Sequence, residues 1–243
     1  MKVLITGGSE GIGFAFACYY ARQNASIILV AKNKEKLFTA REILLEKHSC
    51  KVDCYAVDLS VTGSGKQVYD LVNGNSVDVL INCAGFGNSG KAELADLEKD
   101  EKMVTVNDIT PMTLTKLFVR NHTCGLVINV CSTGAFQPGP YIATYYASKS
   151  FLLNYTKAVA LEKKNSDLKI VALCPGPVKT SFYEKSGGVM SSFHEMPDEV
   201  VSYCMTHLYQ TVIIPGWYNR LALLLPSGLR TKMLLKIKKR DSK

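Results

Sequence analysis

Tyr145 and Lys149 stand four residues apart. On one helix that spacing puts both side chains on a shared face, one turn from each other. A free tyrosine holds its proton with a pKa of about 10, too tightly to give and take it near neutrality. A nearby ammonium favours the phenolate and lowers that value. The pair can therefore serve as proton donor and acceptor to an oxygen that gains or loses charge. Alone, Tyr-x3-Lys is also an ordinary surface pair on an amphipathic helix, so the assignment needs further groups converging on it. Tyr146 is a poorer acid, because the residue four positions on is Ser150, which carries no charge.

A second constellation lies at the start of the chain: Thr6-Gly7-Gly8-Ser9-Glu10-Gly11-Ile12-Gly13. It follows an apolar run at once and opens a segment with helical spacing. Gly7 permits a tight strand-to-helix turn. Gly11 leaves room for the backbone to approach a pyrophosphate, and Gly13 lets the helix lie close on a sheet. The helix N-terminus then offers unpaired N–H groups and positive partial charge to phosphates.

The elements that must hold these groups follow from periodicity. Short apolar, β-branched runs occur at 2–6, 26–31, 51–57, 77–82, 125–131, 168–174 and 211–215. Segments with helical spacing occupy 12–24, 34–48, 65–73, 97–120, 143–164 and 197–210. Near-continuously apolar strands, each followed by a helix-length segment, indicate a parallel sheet covered on both faces. The expectation is a single doubly wound α/β domain of Rossmann type, with a seven-stranded parallel sheet and helices on both faces. It spans residues 1–216 and includes a substrate loop at 180–196, polar and glycine-containing with Phe182, Tyr183, Met190 and Phe193 interspersed. Residues 217–243 form a basic amphipathic tail.

The spacing Thr-Gly-x3-Gly-x-Gly resembles the short-chain dehydrogenase/reductase family, and the likeness extends in order from about residue 2 to 215. Asp58-Leu59 resembles the family's adenine contact. Asn82-Cys83-Ala84-Gly85 looks like its Asn-Asn-Ala-Gly, with Cys83 in place of the second Asn. Asn107 stands where the family has its structural and catalytic Asn. Ser132 ends the fifth apolar run, and Tyr145-x3-Lys149 follows thirteen residues later. Pro175-Gly176-Pro177-Val178-Lys179-Thr180 resembles the turn over the nicotinamide. The resemblance implies an oxidoreductase that interconverts a ketone and a secondary alcohol by hydride transfer. Tyr145 is then the acid/base, Lys149 tunes it and holds the ribose, Ser132 orients the carbonyl, and Asn107 holds a water that relays protons to Lys149. It implies cofactor binding by Gly7, Ser9, Glu10, Gly11, Ile12, Gly13, Lys32, Asp58, Leu59, Asn82, Ala84, Gly85, Tyr145, Lys149, Pro175, Gly176, Val178 and Thr180. The segments 82–87 and 172–180 look most like a subgroup near the 3-oxoacyl and hydroxysteroid reductases.

The residue after the second strand selects the cofactor. An acid there pairs with the adenine ribose hydroxyls of NAD, and a base accommodates the extra phosphate of NADP. The strand continues into Lys32-Asn33-Lys34, with no acid until Glu35. NADP(H) is expected, held mainly by Lys32 with Ser9 adding a hydroxyl. The substrate pocket should lie at the carboxyl ends of the strands. Its walls, Gly85-Phe86-Gly87, residues 137–141 and the 180–196 loop, are rich in apolar and aromatic residues. A lipid-like or acyl ketone is the expected small-molecule carbonyl partner.

A hydrophobic share of 47% with 21% charged residues excludes disordered and low-complexity classes. No stretch approaches the roughly 18 apolar residues of a spanning helix, and no secretory signal is apparent. Net charge is +8, yet eight basic residues fall within 219–243 against the single acid Asp241. A near-neutral body with a basic end does not suit a broad nucleic-acid face. The tail suits either peripheral contact with an anionic membrane or packing on the body. Eight scattered cysteines suggest reduced thiols in the cytoplasm, with a zinc site at Cys50, Cys54 and His48 short of ligands and no metal expected. A homodimer or homotetramer through the helices at 97–120 and 143–164 follows from the resemblance. Two other readings are a catalytically silent NADP-binding sensor or scaffold, and a peripheral membrane adaptor.

Overall fold

A computed structural model describes residues 1–182, 186 and 194–241. Seven strands form one parallel sheet: β1 (Lys2–Thr6), β2 (Ser26–Ala31), β3 (Val52–Ala56), β4 (Val79–Asn82), β5 (Cys124–Val130), β6 (Asp167–Leu173) and β7 (Val212–Ile213). Their spatial order is β3-β2-β1-β4-β5-β6-β7. The chain winds outward from β1 to β3, then crosses back to β4 and winds the other way. That reversal leaves a crevice beyond the carboxyl ends of β1 and β4, where a ligand can enter.

Strand side chains alternate between two buried layers, which is why the runs read as continuously apolar. Val3, Ile5, Ile27 and Leu29 pack on one face with Phe16 and Ala17 of α1 (Gly11–Ala21), Leu37 of α2 (Lys34–Lys47) and Val200 of α7 (Pro197–Thr206). Leu4, Ile28, Val30 and Leu80 pack on the other with Val68 of α3 (Ser64–Leu71), Phe118 of α5 (Thr110–Asn121) and Val159 of α6 (Ala143–Glu162). Truncating one such leucine to alanine costs about 2–5 kcal/mol.

A buried polar network lies inside the second layer. Asn82 and Asn129 are partners in register on β4 and β5. Asn82 Nδ2 donates to Asn129 Oδ1 at 2.8 Å, and Asn129 Nδ2 donates to Thr156 Oγ1 of α6 at 2.9 Å. Thr115 Oγ1 of α5 donates to Asn129 Oδ1 at 3.2 Å. Asn82 Oδ1 is buried without a hydrogen-bond partner, but the bonds of Asn82 Nδ2 and of the whole Asn129 amide tie sheet and helices together directly beneath the crevice.

The segment 97–120 reads as one helix, but the structure divides it. α4 (Leu97–Val104) runs into a π-turn at Thr105–Ile109 and then into α5. Pro111 has no N–H to give to the carbonyl of Asn107, so the α-helical ladder fails there. The Thr110 N–H bonds Thr105 O instead, five residues back. The seventh strand is also shorter than the 211–215 expected. Residues beyond 216 form α8 (Trp217–Leu224) and α9 (Ser227–Asp241).

Candidate active site

The turn after β1 is built by backbone lying on backbone. Thr6 Oγ1 accepts from the N–H groups of Cys83 at 3.1 Å and Ala84 at 3.2 Å, pinning the end of β4 beside it. Gly7 has φ +68°, and a Cβ on it would stand 2.8 Å from the Ala84 backbone. A Cβ on Gly13 would fall 2.2 Å from the Gly7 carbonyl oxygen. Glu10 does not cap α1 with its side chain; it pairs with Lys36 at 2.9 Å. The first N–H groups of α1 therefore face the crevice as donors for an anion.

A cavity of about 1130 Å³ runs along the carboxyl ends of the strands. It gathers Gly7, Ser9, Glu10, Gly11, Ile12, Lys32, Asp58, Leu59, Ala84, Gly85, Ser132, Tyr145, Lys149, Pro175, Gly176, Val178 and Thr180. Three of the expected site residues lie outside its lining. Gly13 acts through helix packing. Asn82 turns its side chain into the Asn129 network. Asn107 is fully buried behind the wall.

Tyr145 and Lys149 share one face of α6. The Lys149 Nζ lies 5.8 Å from the centroid of the Tyr145 ring. Lys149 is 5% exposed and donates to Val130 O at 2.9 Å. Burial pulls its pKa below the usual lysine range, while Cys131, Asp108, Cys83 and Cys174 act to hold the proton on. Ser132 Oγ accepts from Gly134 N at 3.0 Å, which leaves the hydroxyl hydrogen for an acceptor in the cavity. The Tyr145 ring meets Phe182 with centroids 5.3 Å apart.

Asn107 owes its position to the π-turn. Its Oδ1 accepts from Phe86 N at 3.2 Å, and its Nδ2 donates to Phe86 O at 3.0 Å and to Ser148 Oγ at 3.1 Å. It clamps the segment after β4 to α6. A Cβ on Gly85 would stand 3.1 Å from Asn107 Oδ1 and 3.4 Å from Lys149 Nζ, so both groups lie close against this glycine. The neighbouring Asp108 is buried, with Oδ1 lacking a hydrogen-bond partner. Burial raises its pKa to about 7, against the pull of the Lys149 charge.

At the far end of the cavity, Lys32 Nζ pairs with Asp58 Oδ2 at 2.7 Å. Burial acts to raise the Asp58 carboxyl, but this pair and hydrogen bonds from Ser60 outweigh it and hold the pKa at about 2. Asn33 and Lys36 join the lining beside Lys32. Lys36 is not among the site residues expected from the sequence, although it stands four residues from Lys32 in the first turn of α2.

At the substrate end, Phe86, Ile142, Tyr146, Phe182 and Ser186 form the wall together with Leu234 and Ile237 of α9. Gly87 and residues 137–141, expected there, are not part of that lining. Tyr183, Met190 and Phe193 of the expected loop lie outside the described residues. The base of the loop is closed by Val178 bridging Glu195, with Lys179 N donating to Glu195 O at 2.9 Å. Asn219 of α8 sits under this base. Its Nδ2 donates to Glu195 Oε2 at 3.1 Å and to Pro215 O at 2.9 Å. A Cβ on Gly176 would lie 2.2 Å from Asn219 Oδ1, so this glycine is set by contact with α8. No local sequence signal marks Asn219, because its partners are distant in the chain.

The short chain dehydrogenase family model matches residues 1–188. A very-long-chain 3-oxoacyl-CoA reductase of Neurospora crassa is 29% identical over 175 residues, covering 69% of this chain and 53% of that protein. A 3-ketodihydrosphingosine reductase of Bos taurus is 31% identical over 215 residues, covering 83% of this chain and 64% of that protein. The chain thus spans roughly half to two thirds of the length of these curated relatives. Among solved structures, a short-chain dehydrogenase from Sphingobium yanoikuyae in complex with NADPH superposes with a TM-score of 0.85 at 25% identity, covering 96% of this chain and 94% of that one.

Proposed function

The chain belongs to the short chain dehydrogenase family, and from that premise we propose that it is an NADP(H)-dependent oxidoreductase interconverting a ketone and a secondary alcohol. The observation that carries the reading is the placement of Lys149 Nζ 5.8 Å from the Tyr145 ring centroid, in one cavity with Ser132 and the Gly7–Gly11 backbone. The glycine turn fits the pyrophosphate of a dinucleotide, because side chains at 7 and 13 would fill the space its backbone needs. Lys32, Ser9 and Lys36 suit the extra phosphate of NADP, which would compete with Asp58 and Glu10 for the two lysines. The neighbour from Sphingobium carries NADPH.

When bound, NADPH supplies the hydride. Ser132 gives its hydroxyl hydrogen to the substrate carbonyl oxygen and fixes its direction. Tyr145 delivers a proton to that oxygen as negative charge develops on it, and takes one back in the reverse direction. Lys149 stabilises the resulting phenolate by charge. Asn107 Oδ1 and Lys149 Nζ both lie close to Gly85, and from the family resemblance we assign Asn107 the role of holding a water that returns protons to Lys149. Asn107 also holds Phe86 in the cavity wall.

The apolar wall of Phe86, Ile142, Phe182, Leu234 and Ile237 supports an acyl or lipid-like carbonyl substrate. The names of the Neurospora and Bos relatives, a very-long-chain 3-oxoacyl-CoA reductase and a 3-ketodihydrosphingosine reductase, favour the same class. Reduction is the direction we assign, with NADPH as the cellular donor, and we assign the protein to the cytoplasm. The exposed Leu97 and Ile109 on α4–α5, with Phe151 and Leu161 on α6, suit a homodimer or homotetramer. The test is an NADPH-oxidation screen over 3-oxoacyl thioesters, long-chain 3-keto amines, ketosteroids, diketones and sugars, with NADH in parallel. The reading expects turnover of the long-chain keto compounds with NADPH well ahead of NADH. Equal rates with NADH, or turnover confined to sugars, would contradict it.

A further inference from the structure

α8 and α9 carry apolar side chains on the face turned away from the body. On α8, Trp217 is 66% exposed and Leu224 79%, with Leu221 between them at helical spacing. On α9, Leu229, Met233 and Ile237 repeat every four residues and are each about half exposed. Arg220, Lys232 and Lys236 flank these stripes. The opposite side of α9 meets the body: Arg230 Nη2 donates to Phe136 O at 3.1 Å, and Leu234 lines the active-site cavity. Among the described residues no helix is long and apolar enough to cross a membrane. Exposed apolar side chains interleaved with basic ones, on helices too short and too charged to span, suit an element that lies in a bilayer surface.

We propose that α8 and α9 dock on an anionic lipid bilayer and set the mouth of the active-site cavity against it. The charge selects the occupant. Residues 219–243 carry eight basic side chains against Asp241, while the rest of the chain is near neutral. A second copy of this chain would bring the same cationic, apolar face against itself, with like charges opposed. A surface of acidic headgroups over alkyl chains complements both properties at once, and each basic residue near such a surface strengthens binding on the order of fivefold. Ile237 belongs to both features, since it is half exposed and also lines the cavity. Carbonyl compounds whose alkyl tails reside in the bilayer therefore have a route to Tyr145 along α9. This last step rests on the oxidoreductase reading; the docking does not.

Trp217 is the sole tryptophan of the chain and stands on the docking face, so the intact protein reports on itself. The experiment adds phosphatidylcholine vesicles, with or without phosphatidylglycerol, and reads Trp217 emission together with vesicle flotation. The expected result is a blue shift and binding at least about tenfold stronger to the anionic vesicles, weakened by salt. Lys232→Glu with Lys236→Glu, and separately Leu224→Gln with Met233→Gln, should each reduce binding by about tenfold or more while leaving reduction of a short soluble ketone unchanged. Binding equal to neutral and anionic vesicles, or variants that bind as well as the parent, would overturn the proposal. So would a dimer that these variants dissociate without any vesicle binding. Docking without turnover of any carbonyl would leave this proposal standing and remove the oxidoreductase reading; turnover without docking would do the reverse.

Discussion

The two ends of the cavity are made of different material. At the Gly7–Gly13 end, main chain touches main chain, and the would-be Cβ positions of Gly7 and Gly13 lie 2.8 and 2.2 Å from backbone atoms. At the other end, the wall is assembled from apolar side chains of Phe86, Phe182, Leu234 and Ile237, which reach it from three separate segments. The first end is fitted to a ligand part shared by every dinucleotide and has no room to vary. The second is fitted by area and shape, where many apolar residues serve equally well. The fit to a dinucleotide is therefore written in backbone geometry, and the choice of NADP and of the carbonyl compound in side chains.

The contrast breaks most visibly at Gly13. Gly13→Ala drives a methyl against the Gly7 carbonyl, and rigid backbone cannot yield as a side chain can. We expect a loss of about 3 kcal/mol in urea denaturation and a fall in NADPH affinity of more than about tenfold. An alanine variant with the parent's stability and affinity would mean that the turn is looser than described.

Gly176 sharpens the comparison, because there the glycine faces a side chain. Gly176→Ala should cost about 1–2 kcal/mol through its clash with Asn219. In an Asn219→Ala background the added cost should shrink by about 1 kcal/mol, a coupling that a double-mutant cycle measures. Additive losses would separate α8 from the nicotinamide turn.

Between the two ends, Asp108 gives a pH signature. Its folded pKa of about 7 lies above the usual 3.8, so the native state holds that proton more tightly than the unfolded chain does. Stability is then lost as pH rises from about 4 to about 7 and stays lower above that range. Asp108→Asn, which cannot ionise, should be more stable than the parent by on the order of 2 kcal/mol at pH 8, with the gain vanishing near pH 4. Denaturant titrations at the two pH values test this; an equal difference at both would contradict the burial argument.

The same contrast explains what could be read from the sequence. Double-sided burial leaves unbroken apolar runs, so the seven strands and their parallel arrangement were legible, as was the glycine turn. The Tyr145–Lys149 face followed from helical spacing. The π-turn was not legible, because the periodicity of 97–120 continues across it and only Pro111 marks the break. The contact of Asn219 with Gly176 and Glu195 joins segments far apart in sequence, and such polar contacts leave no periodic trace. Lys32 was found as a base after β2, yet its pairing with Asp58 depends on β2 and β3 lying side by side. The tail's amphipathic character was visible, but not that α9 would also wall the cavity.

We propose that the Tyr145 phenol, with Lys149 beside it, moves the proton that accompanies hydride transfer. Tyr145→Phe keeps the ring and removes only the hydroxyl. Turnover should fall by about 10²–10⁴-fold while NADPH binding, read by the change in nucleotide fluorescence, stays within about twofold of the parent. A phenylalanine variant that turns over at the parent's rate with its cofactor affinity intact would contradict the account.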